Sequence, residues 1–545
     1  MFGNSEQQGD VELQQRSNDT HVHHLGLEAI DPAWSLADFL RLKEVPEPLI
    51  VDLSPAEQYR FQSPFTWTTL RKSSTLCAVF AAALLAAYSS GAYVMASEPL
   101  RPQWKVTETE FNLGITLFVM GFGIAPMILA PVSEAYGRYW VFVLSGVVCL
   151  SGTLGCAVTD SYPAMLVSRF ITGCGASVFA TLTGGVVADL YHKEDRNTPM
   201  ALYSLSIMVG TGLGPLVSGI LVDHLGWRWI FYLQVITVGA MTLSLLLFFK
   251  ETRSNVLLKR KCDALTKLSA KTVAELSANP STDPQPAPIQ PLVFQPQGDQ
   301  MPSISLQVIY RSFAFPMRLL GTESVVFWFS VWASFAWAIL YMQFSSISIV
   351  FKNVYGFTNA QVGAVYVAVI GGSIIGTILA YLQKPAMRWL WPESDKNATP
   401  EGRLLSPGFQ SILLPVGLFW FGWTSRESIS WISPALAIGS CTMGIFSIYL
   451  AVFNYLADTY HRYSSSAQAA QSMCRNIFAG IFPLFTAQMM NTLTYRGAGS
   501  LLGGIGLILT AIPWLLSFYG HKIRARSPFA GNLAQTERQT PRQRG

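Results

Sequence analysis

Ala188-Asp189-Leu190-Tyr191-His192 closes one long apolar block of this sequence, and Ala457-Asp458-Thr459-Tyr460-His461 closes another. One block further on in each series comes a second matching pair. Gly212-Leu213-Gly214-Pro215 stands in the first, Gly480-Ile481-Phe482-Pro483 in the second. The two pairs are separated by the same number of residues to within one, and each holds the same place in a run of six blocks. This reads as a duplicated unit. Working outward, windows of about 19 residues find twelve apolar blocks long enough to cross a bilayer. Six lie between residues 75 and 249 and six between 324 and 519. The ninth, 408–424, is the shortest, with Arg426 and Glu427 at its outer end. The fold class expected is an all-α membrane protein, twelve transmembrane helices in two six-helix pseudo-repeat bundles about a central cavity.

Composition agrees. Half of the 545 residues are hydrophobic and 13% are charged, where soluble domains carry about 25% charged residues. A soluble enzyme, a nucleic-acid binder and a disordered scaffold are excluded on that ground. The chain divides into a polar N-terminal arm, 1–72, a first bundle, 73–250, a central loop, 251–319, a second bundle, 320–520, and a basic tail, 521–545. The arm is expected to be disordered. The central loop has Lys259, Arg260, Lys261, Lys267 and Lys271 followed by a Pro-rich run from Pro280 to Pro302, and such a run cannot bury enough apolar surface to fold alone. Met1 to Thr20 has no apolar core, so no cleavable leader is expected there. Most of the 37 Lys and Arg fall in the arm, the tail and alternate loops, which predicts that both termini and the central loop are cytoplasmic. The cell membrane is the default location. The sequons at Asn18 and Asn397 then face the cytosol and are expected to stay unmodified.

The short link between the second and third blocks reads Ala130-Pro131-Val132-Ser133-Glu134-Ala135-Tyr136-Gly137-Arg138-Tyr139. Gly137 suits a tight turn, and Glu134 and Arg138 sit close enough to pair across it or reach another helix. Asp189 and Arg196 lie on the same face. These residues are expected to form a charge cluster that latches the halves together. Arg169 opens Arg169-Phe170-Ile171-Thr172-Gly173 inside the fourth block. A charge at that depth is costly unless it faces a cavity or a partner, so Arg169 is a candidate for proton relay or for contact with an anionic group. Gly210, Gly214, Pro215 and Gly219 punctuate the fifth block, where small residues let helices approach closely. Arg475 and Gln471 in the eleventh block, Gln343 in the seventh, Tyr366 in the eighth and Asn454 in the tenth are further polar points among aromatics such as Trp337 and Tyr341. That mixture suits bulky amphipathic ligands. No phosphate-binding Gly-Lys loop, spaced metal-ligand set or catalytic constellation is present, so no cofactor, metal or enzymatic activity is expected.

These motifs together resemble the major facilitator superfamily, in particular the twelve-span drug:proton antiporters of fungi, over about residues 64 to 527. Glu134, Gly137 and Arg138 match the superfamily's loop motif, while Ala130, Ala135 and Tyr139 depart from it. Arg169 to Gly173 is similar to the fourth-span motif implicated in proton transfer. Gly210 to Gly219 is similar to the motif that marks exporters, except at Ser218. Glu251-Thr252-Arg253 and Asn454-Tyr455-Leu456-Ala457-Asp458 also look like the fungal branch. The resemblance implies a monomer in the lipid bilayer that exports small organic molecules by proton antiport and binds no nucleic acid. It leaves open a nutrient or polyamine transporter, or a non-transporting receptor of the same fold.

Overall fold

A backbone crossing hydrocarbon must satisfy its own polar groups, and every apolar block of the sequence is helical. The computed structural model describes residues 22–31, 34–43, 53–192, 195–278, 291–297, 306–390, 404–460 and 464–525. Asn18, His461 and Asn397, the end of the basic tail and the side chain of Asp458 lie outside the described residues.

The chain opens with β1 (Val22–Leu25), α1 (Leu36–Leu42) and α2 (Pro55–Phe61). The first half follows as α3 (Thr69–Ala92), α4 (Ser97–Trp104), α5 (Glu108–Tyr136), α6 (Arg138–Val158), α7 (Tyr162–Thr181) continued by α8 (Thr183–Leu190), α9 (Asn197–Leu225) and α10 (Arg228–Phe248). Then come α11 (Ser254–Ala278), β2 (Val293–Pro296) and α12 (Leu306–Thr322). The second half comprises α13 (Ser324–Tyr355), α14 (Asn359–Val365), α15 (Val367–Leu390), α16 (Leu405–Ser411), α17 (Leu413–Thr424), α18 (Ile432–Tyr460), α19 (Ser464–Leu509) and α20 (Ala511–Ala525).

Ten helices among the described residues are long and apolar enough to cross a membrane. The sequence predicts twelve, and the difference is local. The ninth block is broken into α16 and α17, each too short alone. The eleventh and twelfth form one continuous run that turns at Thr494, where φ is 62° and ψ is 167°. Thr107 and Glu110 form a capping box that starts α5, with the Thr107 amide 2.7 Å from Glu110 Oε2. Thr358 and Gln361 do the same for α14.

The halves repeat each other in packing as in sequence. In the first, α3 lies against α9 and α5 against α7; in the second, α13 lies against α19 and α15 against α18. The halves meet where α5 crosses α19 and α9 crosses α14 and α15. Outward faces such as Leu144, Val147, Leu154 and Val158 of α6, and Ile236, Leu243 and Leu247 of α10, are exposed. A contiguous apolar surface of this kind fits lipid rather than water.

The arm and central loop depart from expectation. β1 and β2 pair in parallel, with Val22 opposite Val293 and His24 opposite Gln295. Leu25, Ile30, Leu36, Leu40, Leu53 and Phe61 of the arm share a buried core with Leu258, Cys262, Leu265, Leu292 and Phe294 of the loop. Neither segment has enough apolar surface to fold alone, and pooled they do. Lys261 Nζ seals the joint by donating to the Ala29 carbonyl and lying 4.9 Å from the Trp34 ring. This cap meets the first half through Phe65, whose ring stacks on His192 at 4.5 Å, just beyond α8.

Candidate functional site

The turn between α5 and α6 holds the first cluster of charges. Gly137 has a φ of 101°, which L side chains avoid, and a Cβ there would collide with the Glu251 carboxylate. Arg138, next in sequence, is buried. Its Nε donates to Asp189 Oδ2 at 2.9 Å and its Nη1 to Ser133 Oγ at 3.2 Å. Glu251 Oε1 accepts from the amides of Arg138 at 2.9 Å, Arg253 at 3.0 Å and Thr252 at 3.1 Å. Arg253 and the Thr252 hydroxyl complete the shell of Asp189.

This arrangement corrects three expectations. Glu134 is exposed and takes no part in the network; Glu251, which follows the sixth span, holds the acidic place. The cluster also does not bridge the halves, since each of its members belongs to the first half or to the link between α10 and α11. Arg196 donates to the carbonyls of Ala188 at 3.0 Å and Tyr191 at 3.1 Å, closing the end of α8 rather than meeting Asp189.

A set of polar bonds between the halves lies at the opposite end of the helices. Lys352 Nζ is 2.6 Å from both Glu98 Oε2 and Asn359 Oδ1. Asn359 Nδ2 donates to Asp223 Oδ1 at 2.9 Å, and the Ala360 amide to Asp223 Oδ2 at 2.7 Å. Nearby, Asn112 Nδ2 reaches the Pro483 carbonyl at 2.9 Å and Thr116 Oγ1 the Gly480 carbonyl at 2.7 Å. This end is therefore tied from one half to the other. Beneath the tie, α9 runs unbroken through Pro215. Gly210 and Gly214 of this helix press on the α3 backbone, whereas Gly212 and Gly219 press on the second half at Tyr366, Ile370 and Asn359.

Arg169 is fully buried inside the first half, so it does not reach the outer surface. Its Nη1 donates to the Ser89 carbonyl at 3.0 Å and its Nε to the Gly114 carbonyl at 3.3 Å. The guanidinium lies 4.4 Å from the Phe118 ring and 4.7 Å from that of Tyr93. Nη2 has no partner. Gly173 makes this possible by letting the Phe118 backbone come close. Ser89 also donates to Gln234 Oε1 at 2.7 Å, which ties the sixth span to the same point.

A chamber lies between the halves, lined by Ser90, Phe122, Ile207 and Thr211 of the first and by Trp337, Tyr341, Tyr449 and Arg475 of the second. The space they leave is water-sized. Of the six residues the sequence nominates for ligand or proton, Arg475 lines it. Gln471, one turn earlier on α19, is buried, with Nε2 unpartnered. Gln343 opens instead into a separate space within the second half, beside Leu418, Cys441, Met490 and Tyr495. The Tyr366 hydroxyl donates to the Phe344 carbonyl at 3.3 Å, so that ring packs at the crossing of α9 with the second half. Asn454 is half-buried in α18 and lines neither space. The sequence reading nominated neither Tyr449, which lies in no motif, nor Thr211, which lies within the Gly210 to Gly219 motif at a position the motif leaves unspecified. Glu323 is the N-cap residue of α13, but its carboxylate makes no capping bond; its Oε2 accepts from the Tyr460 hydroxyl at 2.9 Å.

Residues 79–483 match the model of the Major Facilitator Superfamily. The chain is 35% identical over 415 residues to the efflux pump atB of Aspergillus terreus, covering 75% of this chain and 83% of the relative. It is 32% identical over 421 residues to the efflux pump radE of Floropilus chiversii, covering 77% and 74%. It is 28% identical over 485 residues to the probable drug/proton antiporter YHK8 of Saccharomyces cerevisiae, covering 89% and 88%. Among solved structures, a peptide transporter of the POT type superposes with a TM-score of 0.58 at 13% identity, over 86% of this chain and 99% of that one. The xylose transporter XylE of E. coli, in a partially occluded inward open conformation, gives 0.54 at 13%, over 81% and 98%. The helical duplication, the buried motif charges and the extent of the family match together establish that this chain belongs to the Major Facilitator Superfamily.

Proposed function

We propose that this chain exports small organic molecules across a membrane in exchange for protons, by alternately opening the chamber to its two sides. The observation that carries the reading is the chamber itself. It sits at the joint of the two halves, takes its lining from both, and is closed at one end, which we assign to the outside, by bonds from one half to the other. The efflux pumps and the drug/proton antiporter among the relatives support the direction and the coupling. The activity is transport rather than catalysis, the working unit is a monomer, and the cell membrane with both termini cytoplasmic is the location and orientation we assign.

In this reading Arg475 contacts the substrate with Trp337, Tyr341 and Tyr449, and Gln471 tunes it. Arg169 serves proton coupling by holding α3, α5 and α7 in register around Ser89 and Gly114. The Arg138–Asp189–Glu251 cluster stiffens the cytoplasmic end of the first half so that it moves as one body.

The test is efflux of a panel of labelled drugs, dyes and secondary metabolites from cells expressing the full chain, with and without a protonophore. Export that collapses with the proton gradient is the expected result. Net accumulation would overturn it in favour of import. An Arg169→Ala variant that reaches the membrane should lose proton-driven efflux, and normal efflux would remove Arg169 from the coupling.

A further inference from the structure

We infer that the chamber is built for organic anions, molecules carrying a carboxylate or sulfonate on an aromatic or otherwise apolar body. The inference deepens the export reading and relies on it only for the direction of movement.

Arg475 is the one charged residue in the lining. Among the described residues, no carboxylate lines the chamber to balance it. The side chain is almost wholly buried, and a buried cation without a counter-ion is strongly unfavourable. Its partial support comes from two sources. The guanidinium lies 4.3 Å from the Trp337 ring and 5.1 Å from that of Tyr449, and Nη2 donates to Ser472 Oγ at 3.3 Å.

Stacking of this kind uses the face of the guanidinium and leaves its in-plane N–H groups free. Those are the groups that take a carboxylate or sulfonate in a two-pronged grip. Here Nε has no partner. Gln471 Nε2, one turn earlier on the same helix, has none either. Two donors a turn apart, Arg475 Nε and Gln471 Nε2, each without a partner among the described residues, describe one half of an anion site. The rings of Trp337 and Tyr449, 5.2 Å apart and inclined at 30°, offer the apolar partner.

The same geometry works against cations. Aromatic walls attract a quaternary ammonium through their faces, but these two faces already carry the guanidinium. A second positive charge would meet repulsion in a low-dielectric space. The chamber must widen to take an organic molecule, and it does so as the halves part, without removing Arg475 from α19.

The experiment uses purified full-length protein and two impermeant probes of equal bulk, naphthalenesulfonate and naphthyltrimethylammonium. Each is titrated while the melting temperature is followed. The anion should bind about tenfold or more tightly than the cation. In Arg475→Gln that preference should vanish, and in Arg475→Lys, which keeps the charge without the fork, it should survive in weakened form. Equal affinities, a preference for the cation or no response to the anion would each overturn the inference. The comparison of probes on the unaltered protein does not depend on the variants folding. A chain that exports cationic dyes yet shows no anion preference would keep the export reading and lose this one.

Discussion

Asn359 Nδ2 in the second half lies 2.9 Å from Asp223 Oδ1 in the first. The cluster that the sequence nominated as a latch, around Arg138, lies within one half, and the bonds that cross between halves lie at the other end of the helices. Exposed pairs contribute about 0.2–1 kcal/mol each, so the Glu98–Lys352–Asn359–Asp223 chain biases closure at this end, which we assign to the outside, without locking it. Asp223→Ala combined with Lys352→Ala should raise the outward-open population by a few-fold to about tenfold. A cysteine placed at Ser90, in the chamber wall, reports it. Labelling by a membrane-impermeant maleimide added outside should speed up in the double variant. Unchanged labelling would show that the closure rests on apolar packing alone.

The Arg138–Asp189–Glu251 cluster has a different character because it is buried. The side chains of Arg138 and Asp189 are 5% and 11% exposed. Removing one member of a buried pair costs about 3–5 kcal/mol. Asp189→Asn and Glu251→Gln should therefore lower the melting temperature of the purified protein clearly. Glu134→Gln, at an exposed position, should stay within about 0.5 kcal/mol of the parent. The ranking is the informative part: an effect at Glu134 as large as at Glu251 would contradict the network.

Why Glu134 was nominated and Glu251 was not is a matter of range. Gly137, Arg138 and Asp189 belong to short words that carry their meaning locally, and the structure uses all three. Glu251 meets the Arg138 amide across 113 residues, and although Glu251-Thr252-Arg253 stood out as a resemblance, nothing in that stretch names its partner. The two six-block series were legible because hydropathy is local. The cap was not, since Val22–Leu25 and Val293–Pro296 are four residues each and become strands only by meeting. In the chamber, Arg475 stood out as a charge in an apolar block. Tyr449 did not, because an aromatic in a membrane span carries no sign of which way it faces.

The glycines of α9 separate into two kinds, and substitution should separate them too. A Cβ at Gly214 would lie 2.5 Å from the Tyr88 carbonyl of the same half, and one at Gly210 would strike the Leu84 carbonyl. A Cβ at Gly219 would strike the Asn359 carbonyl across the joint. Overpacking costs about 1–3 kcal/mol. Gly210→Ala and Gly214→Ala should reduce stability and yield. Gly219→Ala should leave the melting temperature nearer the parent while speeding outside labelling at the Ser90 position, because it wedges the halves apart. The reverse pattern would mean that Gly219 packs within its half.

Cys262 gives a direct handle on the cap. It is fully buried in α11, and burial pushes its thiol up to about 12. A raised value means the thiol stays protonated through mildly alkaline pH, and the thiolate is the reactive form. With the other cysteines replaced by Ala, the folded protein should react with maleimide very slowly. Phe294, 5% exposed, packs against His23 with ring centroids 5.9 Å apart and joins the same buried core as Cys262. Phe294→Ala should cost about 3–5 kcal/mol, which exceeds what a core of this size can spare. The arm and loop should then part, the thiol should return toward its ordinary value near 8.5, and labelling should accelerate at least about tenfold. Trypsin cleavage at Arg41 and Arg60 in the arm should accelerate with it. Slow labelling in the parent but equally slow labelling in the variant would mean that the bilayer-side packing, and not the pairing of arm with loop, protects Cys262.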